Sequence, residues 1–299
     1  MRVWSDGHII HTKRQIDSLN FVMHYGSPAC WEGIRSYLQS NGTTKIWKLE
    51  EHVKRLFDSA KILGIEIPFT QYDIQEACRR VVEANGNGDL YLRPIVYSTQ
   101  DAESVRQVDY KIAVDIYAFP IAKLGREEGI TAKIASMARG YPQFQMQCKN
   151  PANYAILNNL KNEMAGVDEL LFCDNQGYVV EATVANLFIV RGDQVFTPPN
   201  EGSILPGITR RTVAEILGDN AMMFSKYNKH VKVMEKRITR PDLYTADEVF
   251  MCGTFAEIVP IIQIDGRIIA DGKPGFYSRM VLKSYQDLVR GRNADYRKS

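Results

Sequence analysis

The sequence predicts an α+β protein in two parts, a smaller N-terminal α/β part and a larger, strand-rich C-terminal part. Three observations predict this. The chain has 299 residues, 45% apolar and 24% charged, enough to bury two cores of ordinary size. Strand-like and helix-like runs mix without strict alternation. A polar stretch with one proline and two glycines, "PIAKLGREEG" at 120–129, divides the chain. The expected boundaries are 1–119 for the first domain, 120–130 for a linker and 131–299 for the second domain.

The first domain reads as hairpins followed by helices. "VWSDGHII" places Asp6-Gly7 between apolar residues, a hairpin signal, and "IRSYLQSNGTTKIWKL" repeats it with Asn41-Gly42. In "LEEHVKRLFDSAKILG" the positions Leu49, Val53, Leu56, Phe57, Ala60 and Leu63 form one helical stripe that Gly64 ends. A second helix starts near Thr70, with Ile74, Ala77, Val81 and Val82 inward and Gly86 closing it. Two strand runs follow, "DLYLRPIVYST" and "YKIAVDIYAF". Pro94 in the first predicts an edge or a bulge, since proline donates no backbone hydrogen bond.

The second domain is mostly short strands: "TAKIASM", "ELLFCD", "YVVEA", "NLFIVR", "QVFTP", "EVFMC" and "EIVPIIQID". Turn signals such as Asn175-Gln176-Gly177 and Gly192-Asp193 separate them. Helices are expected at about 151–165, 208–217 and 275–290. No repeat, low-complexity segment or nucleotide phosphate loop is present.

A net charge of +2 gives no electrostatic case for nucleic acid. No apolar run reaches the roughly 18–20 residues that cross a bilayer, and "MRVWSDGHIIHTKRQ" lacks the apolar core of a signal peptide. Five cysteines without paired spacing read as reduced thiols of a cytoplasmic protein. Cys148 reads as a small core residue. The histidines are dispersed and offer no metal-ligand spacing, so no metal is expected.

Five features carry chemistry, each with a plainer alternative. In "QCKNPANYAILNNLKNEM" Lys149 directly precedes a helix start, with Asn150 as N-cap and Pro151 as first helical residue. The helix dipole disfavours a cation there. Lys149 is either a solvated surface charge or an amine used as a nucleophile toward a carbonyl. Glu181, between the apolar runs of "GYVVEATVANLFIV", is expected buried. It faces either a cross-strand cation or a protonated ring nitrogen. In "SILPGITRRTVAEIL" the first N–H groups of a helix, with the Thr209 hydroxyl, form an anion site or a self-capped helix. "MCGTFAEIVP" ends a strand at Gly253-Thr254, where glycine permits close approach of a ligand. Arg55 lies beside the apolar stripe of its helix and reaches either inward to a phosphate or outward to water. Together, a nucleophilic lysine, a buried acid, a helix-end anion site and an arginine are what pyridoxal 5'-phosphate requires.

In these segments the chain resembles the class IV (fold type IV) pyridoxal-phosphate aminotransferases, and most of all the branched-chain amino acid aminotransferases. "HYGSPACWEGIRSY", "EEHVKRLFDSAKI", "YLRP", "KNPANY", "YVVEATVANLFIV", "LPGITR" and "GTFAEIVP" carry the resemblance, in order, from about Tyr25 to Ile264. It implies a small N-terminal α/β domain, a connecting loop and a larger domain with a β-barrel-like core, working as a homodimer or higher homo-oligomer. It implies Lys149 as the lysine that joins the cofactor aldehyde and moves the substrate's α-proton. Tyr154 would hydrogen-bond the cofactor's phenolic oxygen and Glu181 its ring nitrogen. Arg55, Ile208, Thr209 and Thr254 would hold its phosphate, and Leu205 would pack on its ring. Tyr91 and Arg93 would lie near the substrate carboxylate. Tyr25 and Trp31 would line the substrate site, Tyr25 as the candidate from a neighbouring subunit.

The reaction so implied moves an amino group from an L-branched-chain or similar hydrophobic amino acid to a 2-oxo acid such as 2-oxoglutarate. Departures from the branched-chain pattern fall where substrate shape is set. There is one extra residue between Tyr25 and Glu32, Trp31 stands for phenylalanine, Phe255 for alanine, and Ala182 for glycine. "SMARGYPQFQMQCK" also differs from the branched-chain version of that segment. The alternatives are a D-amino acid or specialised biosynthetic aminotransferase, an aminodeoxychorismate-type lyase, and a cofactor carrier without turnover.

Overall fold

In a computed structural model the described residues are 1–11, 13–26, 28–103, 110–121, 126–139, 146–154, 160, 162–202, 204–219 and 231–292. The chain groups into two compact units. The first is Met1–Ala122 with Gln147–Ala155 and Val289–Arg292; the second is Lys123–Met146 with Ile156–Leu288 and Asn293–Ser299. The segment bearing Lys149 therefore groups with the N-terminal residues.

Among the described residues, the first unit holds a seven-stranded sheet. Its strands are β1 (Val3–Ser5), β2 (His8–Ile10), β3 (Ala29–Trp31), β4 (Ile34–Leu38), β5 (Thr44–Ile46), β6 (Leu90–Ser98) and β7 (Ile112–Pro120). The order is β2-β1-β7-β6-β4-β5, with β3 also on β6. Asp6 (φ 41°) and Gly7 (φ 100°) form the two-residue turn joining β1 to β2; both centres need positive φ. The Asn41-Gly42 turn is longer. Gln39 N–H reaches Thr43 O at 2.8 Å, and Asn41 Oδ1 accepts from Thr43 N–H at 3.0 Å.

Among the described residues this unit also holds helices α1 (Phe21–Tyr25), α2 (Leu49–Ile62) and α3 (Gln71–Ala84). Helix α3 begins at Thr70 with a reciprocal capping box to Asp73. The buried stripes of α2 and α3 pack on one sheet face through Val53, Leu56, Ile74, Val81, Leu92, Val96, Val114 and Ile116.

Pro94 departs from expectation, because β6 is central rather than an edge. β3 and β4 share one register on it, Trp31 opposite Ile95 and Ile34 opposite Leu92. Glu32 N–H donates to Pro94 O at 2.9 Å. The reciprocal bond is the single one proline cannot donate, so the ladder skips one link without shifting.

In the second unit, strands β8 (Ile130–Ile134), β9 (Glu169–Cys173), β10 (Val179–Ala182), β11 (Asn186–Arg191), β14 (Glu248–Gly253) and β15 (Glu257–Ile264) form a closed ring in the order β10-β9-β8-β15-β14-β11. Pairing of β10 with β11 closes it through one residue pair, Glu181 opposite Asn186. β12 (Gln194–Thr197) and β13 (Lys232–Glu235) extend from β11, and β16 (Arg267–Ile268) pairs with β15. The ring is filled by Ile130, Ile134, Leu171, Leu187, Ile189, Met251, Val259 and Ile261.

Among the described residues this unit holds helices α4 (Ile208–Asp219), α5 (Arg240–Tyr244) and α6 (Phe276–Val289). Glu248 caps α6, accepting from Tyr277 N–H at 2.8 Å and Ser278 N–H at 2.9 Å. Of the helix expected at 151–165, residues 152–154 are helical, 162–166 form turns, and 155–159 and 161 lie outside the described residues. So do 122–125 of the expected linker.

Candidate functional site

The first unit assembles a cluster around Lys149. Asn150 acts as the expected N-cap, its Oδ1 accepting Asn153 N–H at 3.2 Å. The backbone of Lys149 is held on both sides: its N–H donates to Ser59 Oγ at 3.1 Å, and its C=O accepts Trp31 N–H at 3.0 Å. The residue is 9% exposed. Nζ lies 3.0 Å from the Tyr154 hydroxyl and 4.1 Å from the Trp31 ring centroid. Among the described residues it has no carboxylate partner. A buried ammonium without a counter-ion is costly; a solvated surface lysine is the reading this placement excludes.

Trp31 also meets Tyr154, with ring centroids 5.4 Å apart. The Arg93 guanidinium lies 4.7 Å from the Trp31 centroid, 5.4 Å from that of Tyr91 and 5.9 Å from that of Phe119. Its buried Nε has no hydrogen-bond partner among the described residues. A guanidinium held by aromatic faces alone retains its donors for an anion.

Beneath Tyr91 lies Gly33, where an added Cβ would fall on the Tyr91 hydroxyl. Gly33→Ala is therefore expected to lower stability by about 1–3 kcal/mol through overpacking, measured as a drop in the urea midpoint. An unchanged midpoint would mean that the Tyr91 ring simply swings aside.

Arg55 points inward. It makes a two-point ion pair with Glu32, Nε to Oε1 at 2.6 Å and Nη2 to Oε2 at 2.9 Å. His52 Nδ1 lies 2.8 Å from the same Oε2. Burial alone would push the Glu32 carboxyl up, but Arg55 and His52 outweigh it and hold it well below the usual carboxylate range. Burial pushes the His52 imidazole down; facing a carboxylate oxygen, Nδ1 is the donor of this pair. Burial opposes the Arg55 charge, while Glu32 outweighs it and raises the guanidinium further; the Tyr154 and Tyr91 phenols also lie within its field. His52, Arg55 and Ser59 share one side of α2 at helical spacing.

The second unit assembles a cluster around Glu181. β10 is irregular between Val179 and Glu181, and Glu181 is 3% exposed. Its Oε1 lies 3.1 Å from Arg139 Nη2; its Oε2 accepts from Asn186 Nδ2 at 3.2 Å and Leu205 N–H at 3.3 Å. Arg139 also donates from Nη1 to the carbonyls of Ala182 (3.1 Å) and Thr183 (3.0 Å), and it lies over Phe172. The cation the sequence reading left unnamed is thus Arg139. Asn186 also donates to Leu205 O at 3.2 Å, tying the carboxylate to the segment that enters α4. Gly207 permits this, since a Cβ there would strike the Asn186 oxygen.

Ile208 and Thr209 open α4 and are buried. Among the described residues nothing accepts their N–H groups. Thr254 and Phe255 follow β14, with Phe255 41% exposed. Tyr25 ends α1 and is 44% exposed. Sequence reading missed Glu32, His52, Ser59, Arg139 and Asn186. Two of them carried a signal: His52 and Ser59, with Arg55, place polar residues on the buried side of an apolar helix.

With this geometry, comparison with known proteins is specific. The family model described as amino-transferase class IV matches residues 29–264. A branched-chain-amino-acid aminotransferase of Pseudomonas aeruginosa is 33% identical over 299 residues, covering 97% of this chain and 93% of the relative. The crystal structure of a branched-chain aminotransferase from the archaeon Thermoproteus uzoniensis with norvaline superposes with a TM-score of 0.89 at 34% identity, covering 99% of this chain and 97% of that one. The T.th. branched-chain amino acid aminotransferase complexed with N-(5'-phosphopyridoxyl)-L-glutamate gives 0.89 at 34% identity, covering 99% and 96%.

Proposed function

The chain belongs to the class IV aminotransferases, and from that premise we propose that it moves the amino group of an L-branched-chain or similar hydrophobic amino acid to 2-oxoglutarate. Its fold is that of the solved branched-chain enzymes, fold type IV, and its cofactor is pyridoxal 5'-phosphate. The observation that carries the reading is Lys149: buried, without a carboxylate partner among the described residues, its backbone tied on both sides and its Nζ 3.0 Å from the Tyr154 hydroxyl.

The donor set fits the cofactor. Glu181 presents a buried carboxylate fixed by an ion pair to Arg139 and by two donors to Oε2, as a protonated pyridine nitrogen requires. In the first unit Arg55, and in the second Thr254 and the N–H groups of Ile208 and Thr209, which have no acceptor among the described residues, are each of a kind that suits a phosphate. Leu205 supplies an apolar surface beside Glu181. When bound, pyridoxal phosphate supplies the electron sink that makes the substrate α-proton removable. As a free amine, Lys149 Nζ would take the proton from the substrate α-carbon and hold it, a general-base transfer worth roughly 10²–10⁴-fold. Tyr154 holds Nζ in place through its hydroxyl. The Trp31 ring covers Nζ and limits water. Arg93 suits the side-chain carboxylate of an acidic partner such as 2-oxoglutarate, and Tyr91 orients it. The norvaline and phosphopyridoxyl-glutamate complexes of the two similar enzymes support an apolar and an acidic substrate in turn.

Trp31 sets substrate shape in this reading. Trp31→Phe is expected to change the ratio of kcat/KM for isoleucine over valine about tenfold, with cofactor affinity nearly unchanged. An unchanged ratio removes Trp31 from the substrate site.

Exposed apolar residues at Ile16, Leu19, Met23 (68%) and Tyr25 support a homo-oligomer in which a second copy covers them. All five cysteines are buried free thiols, which supports a cytoplasmic setting. No helix among the described residues is long and apolar enough to cross a membrane.

The test is to mix the yellow holoprotein with L-leucine, L-valine, D-alanine and L-phenylalanine and follow the visible band. L-leucine and L-valine are expected to bleach it, and 2-oxoglutarate to restore it. Bleaching by D-alanine alone points to a D-amino acid aminotransferase. Pyruvate formed from aminodeoxychorismate without an amino acceptor points to a lyase. No bleaching by any amine points to a silent carrier.

A further inference from the structure

Glu32 is an ion buried where an apolar residue would be easier to accommodate. It is 0% exposed. Its chain neighbours Cys30 and Ile34, and Val53 and Leu56 beside His52 and Arg55 on α2, belong to the apolar core. Replacing a buried ion pair with apolar side chains is often neutral or stabilising, so stability alone does not account for such a pair. Glu32 comes from the β3–β4 junction, at the link Pro94 cannot complete, and binds the Nε–Nη2 edge of Arg55 at 2.6 and 2.9 Å. A planar fork gripped at two points has one orientation. The direction of the opposite, Nη1 edge is therefore set by Glu32. His52 Nδ1, at 2.8 Å from Oε2, aims Glu32 in turn.

We propose that Glu32 and His52 are positioning residues that orient the Arg55 guanidinium toward the phosphate of pyridoxal phosphate, and so make the protein select the phosphate ester over the unphosphorylated aldehyde. This rests on the reading that Arg55 is a phosphate ligand. Glu32 touches neither the cofactor nor the substrate; it acts through Arg55. Its own negative charge would weaken an approaching phosphate, so orientation is the favourable contribution and charge the unfavourable one.

The experiment measures binding of pyridoxal phosphate and of pyridoxal to the full-length apoprotein, by quenching of tryptophan fluorescence, and takes the ratio of the two dissociation constants. Wild type is expected to favour the phosphate ester strongly. In Glu32→Gln that preference falls about tenfold or more, while pyridoxal binds as before. Glu32→Gln combined with Arg55→Lys loses no more than Arg55→Lys alone, because the two act as one unit. His52→Asn, whose amide nitrogen can stand where Nδ1 stands, keeps the preference; His52→Leu lowers it. The His52 pair decides the matter if Glu32→Gln does not fold.

Equal weakening of both ligands in Glu32→Gln would mean a merely structural role and overturn the proposal. So would an unchanged or increased preference, the latter showing that the charge of Glu32 outweighs its aim. A wild type without phosphate preference would overturn the Arg55 assignment itself, and the proposal with it.

Discussion

Lys149→Ala is expected to abolish amino-group transfer, lowering kcat by about 10⁴-fold or more, and to leave no covalent link to the cofactor. The geometry explains why the loss would be chemical rather than structural. The contacts that place residue 149 are made by its backbone, to Ser59 Oγ and Trp31 N–H, and alanine keeps both. The side chain contributes an amine near the Tyr154 hydroxyl and the Trp31 ring, with no ion pair among the described residues to break. Urea unfolding should therefore change little, while borohydride reduction followed by intact-mass measurement should show cofactor mass on wild type and none on the variant. Retained transamination, or a reduced adduct on another residue, would refute the assignment.

Glu181→Gln is expected to slow α-proton removal by about 10²–10³-fold and to lower stability by about 3 kcal/mol. The two effects have separate origins. Glutamine keeps the shape and can accept from Asn186 and Leu205 N–H, but it cannot carry the charge that holds a ring nitrogen protonated. It also leaves the Arg139 guanidinium, 7% exposed, without this counter-ion, and breaking one side of a buried pair is strongly destabilising. Adding Arg139→Met should restore much of the stability and none of the rate. A larger primary isotope effect with α-deuterated leucine in Glu181→Gln would place the defect at the proton-transfer step. If the single variant transfers the proton as fast as wild type, Glu181 does not serve the ring nitrogen.

Much of the fold was legible because its signals are local. Asp6-Gly7 demanded positive φ at two adjacent residues, and the turn has it. Thr70 with Asp73 formed the expected helix start. The apolar stripe of residues 49–63 recurs as the buried side of α2. What escaped reading was short or non-local. Helix α1 has five residues, too few for a periodicity to show. Helix α5 is equally short, but Thr239 and Asp242 form a capping box that the sequence carried openly. Strand β3 adds to β6 only because distant residues bring β6 alongside.

The candidate residues divide in the same way. Lys149, Glu181, Ile208 and Thr209 stand out because each sits beside a helix start, a glycine break or an anomalous charge, whereas Tyr154 is named only through the family resemblance. Arg139 and Asn186 could not, since their meaning depends on reaching Glu181 from the segment after β8 and from β11. For Arg55 the sequence leaves an inward and a solvated orientation open, because the partner that decides it, Glu32, lies 23 residues earlier, beyond any helical or strand periodicity.

The uninterrupted register of residues 29–38 restricts how this protein can change length. Alternate residues point to opposite sides of the sheet, so Glu32 turns toward α2 while Trp31 and Gly33 turn toward Tyr91 and Arg93. An insertion or deletion of one codon within that run would exchange the two sides at a stroke, sending the acid among the aromatic rings and the indole into the core. Drift in this lineage should therefore collect gaps upstream of Ala29 and spare the run itself, as a reading frame tolerates changes outside it but not within.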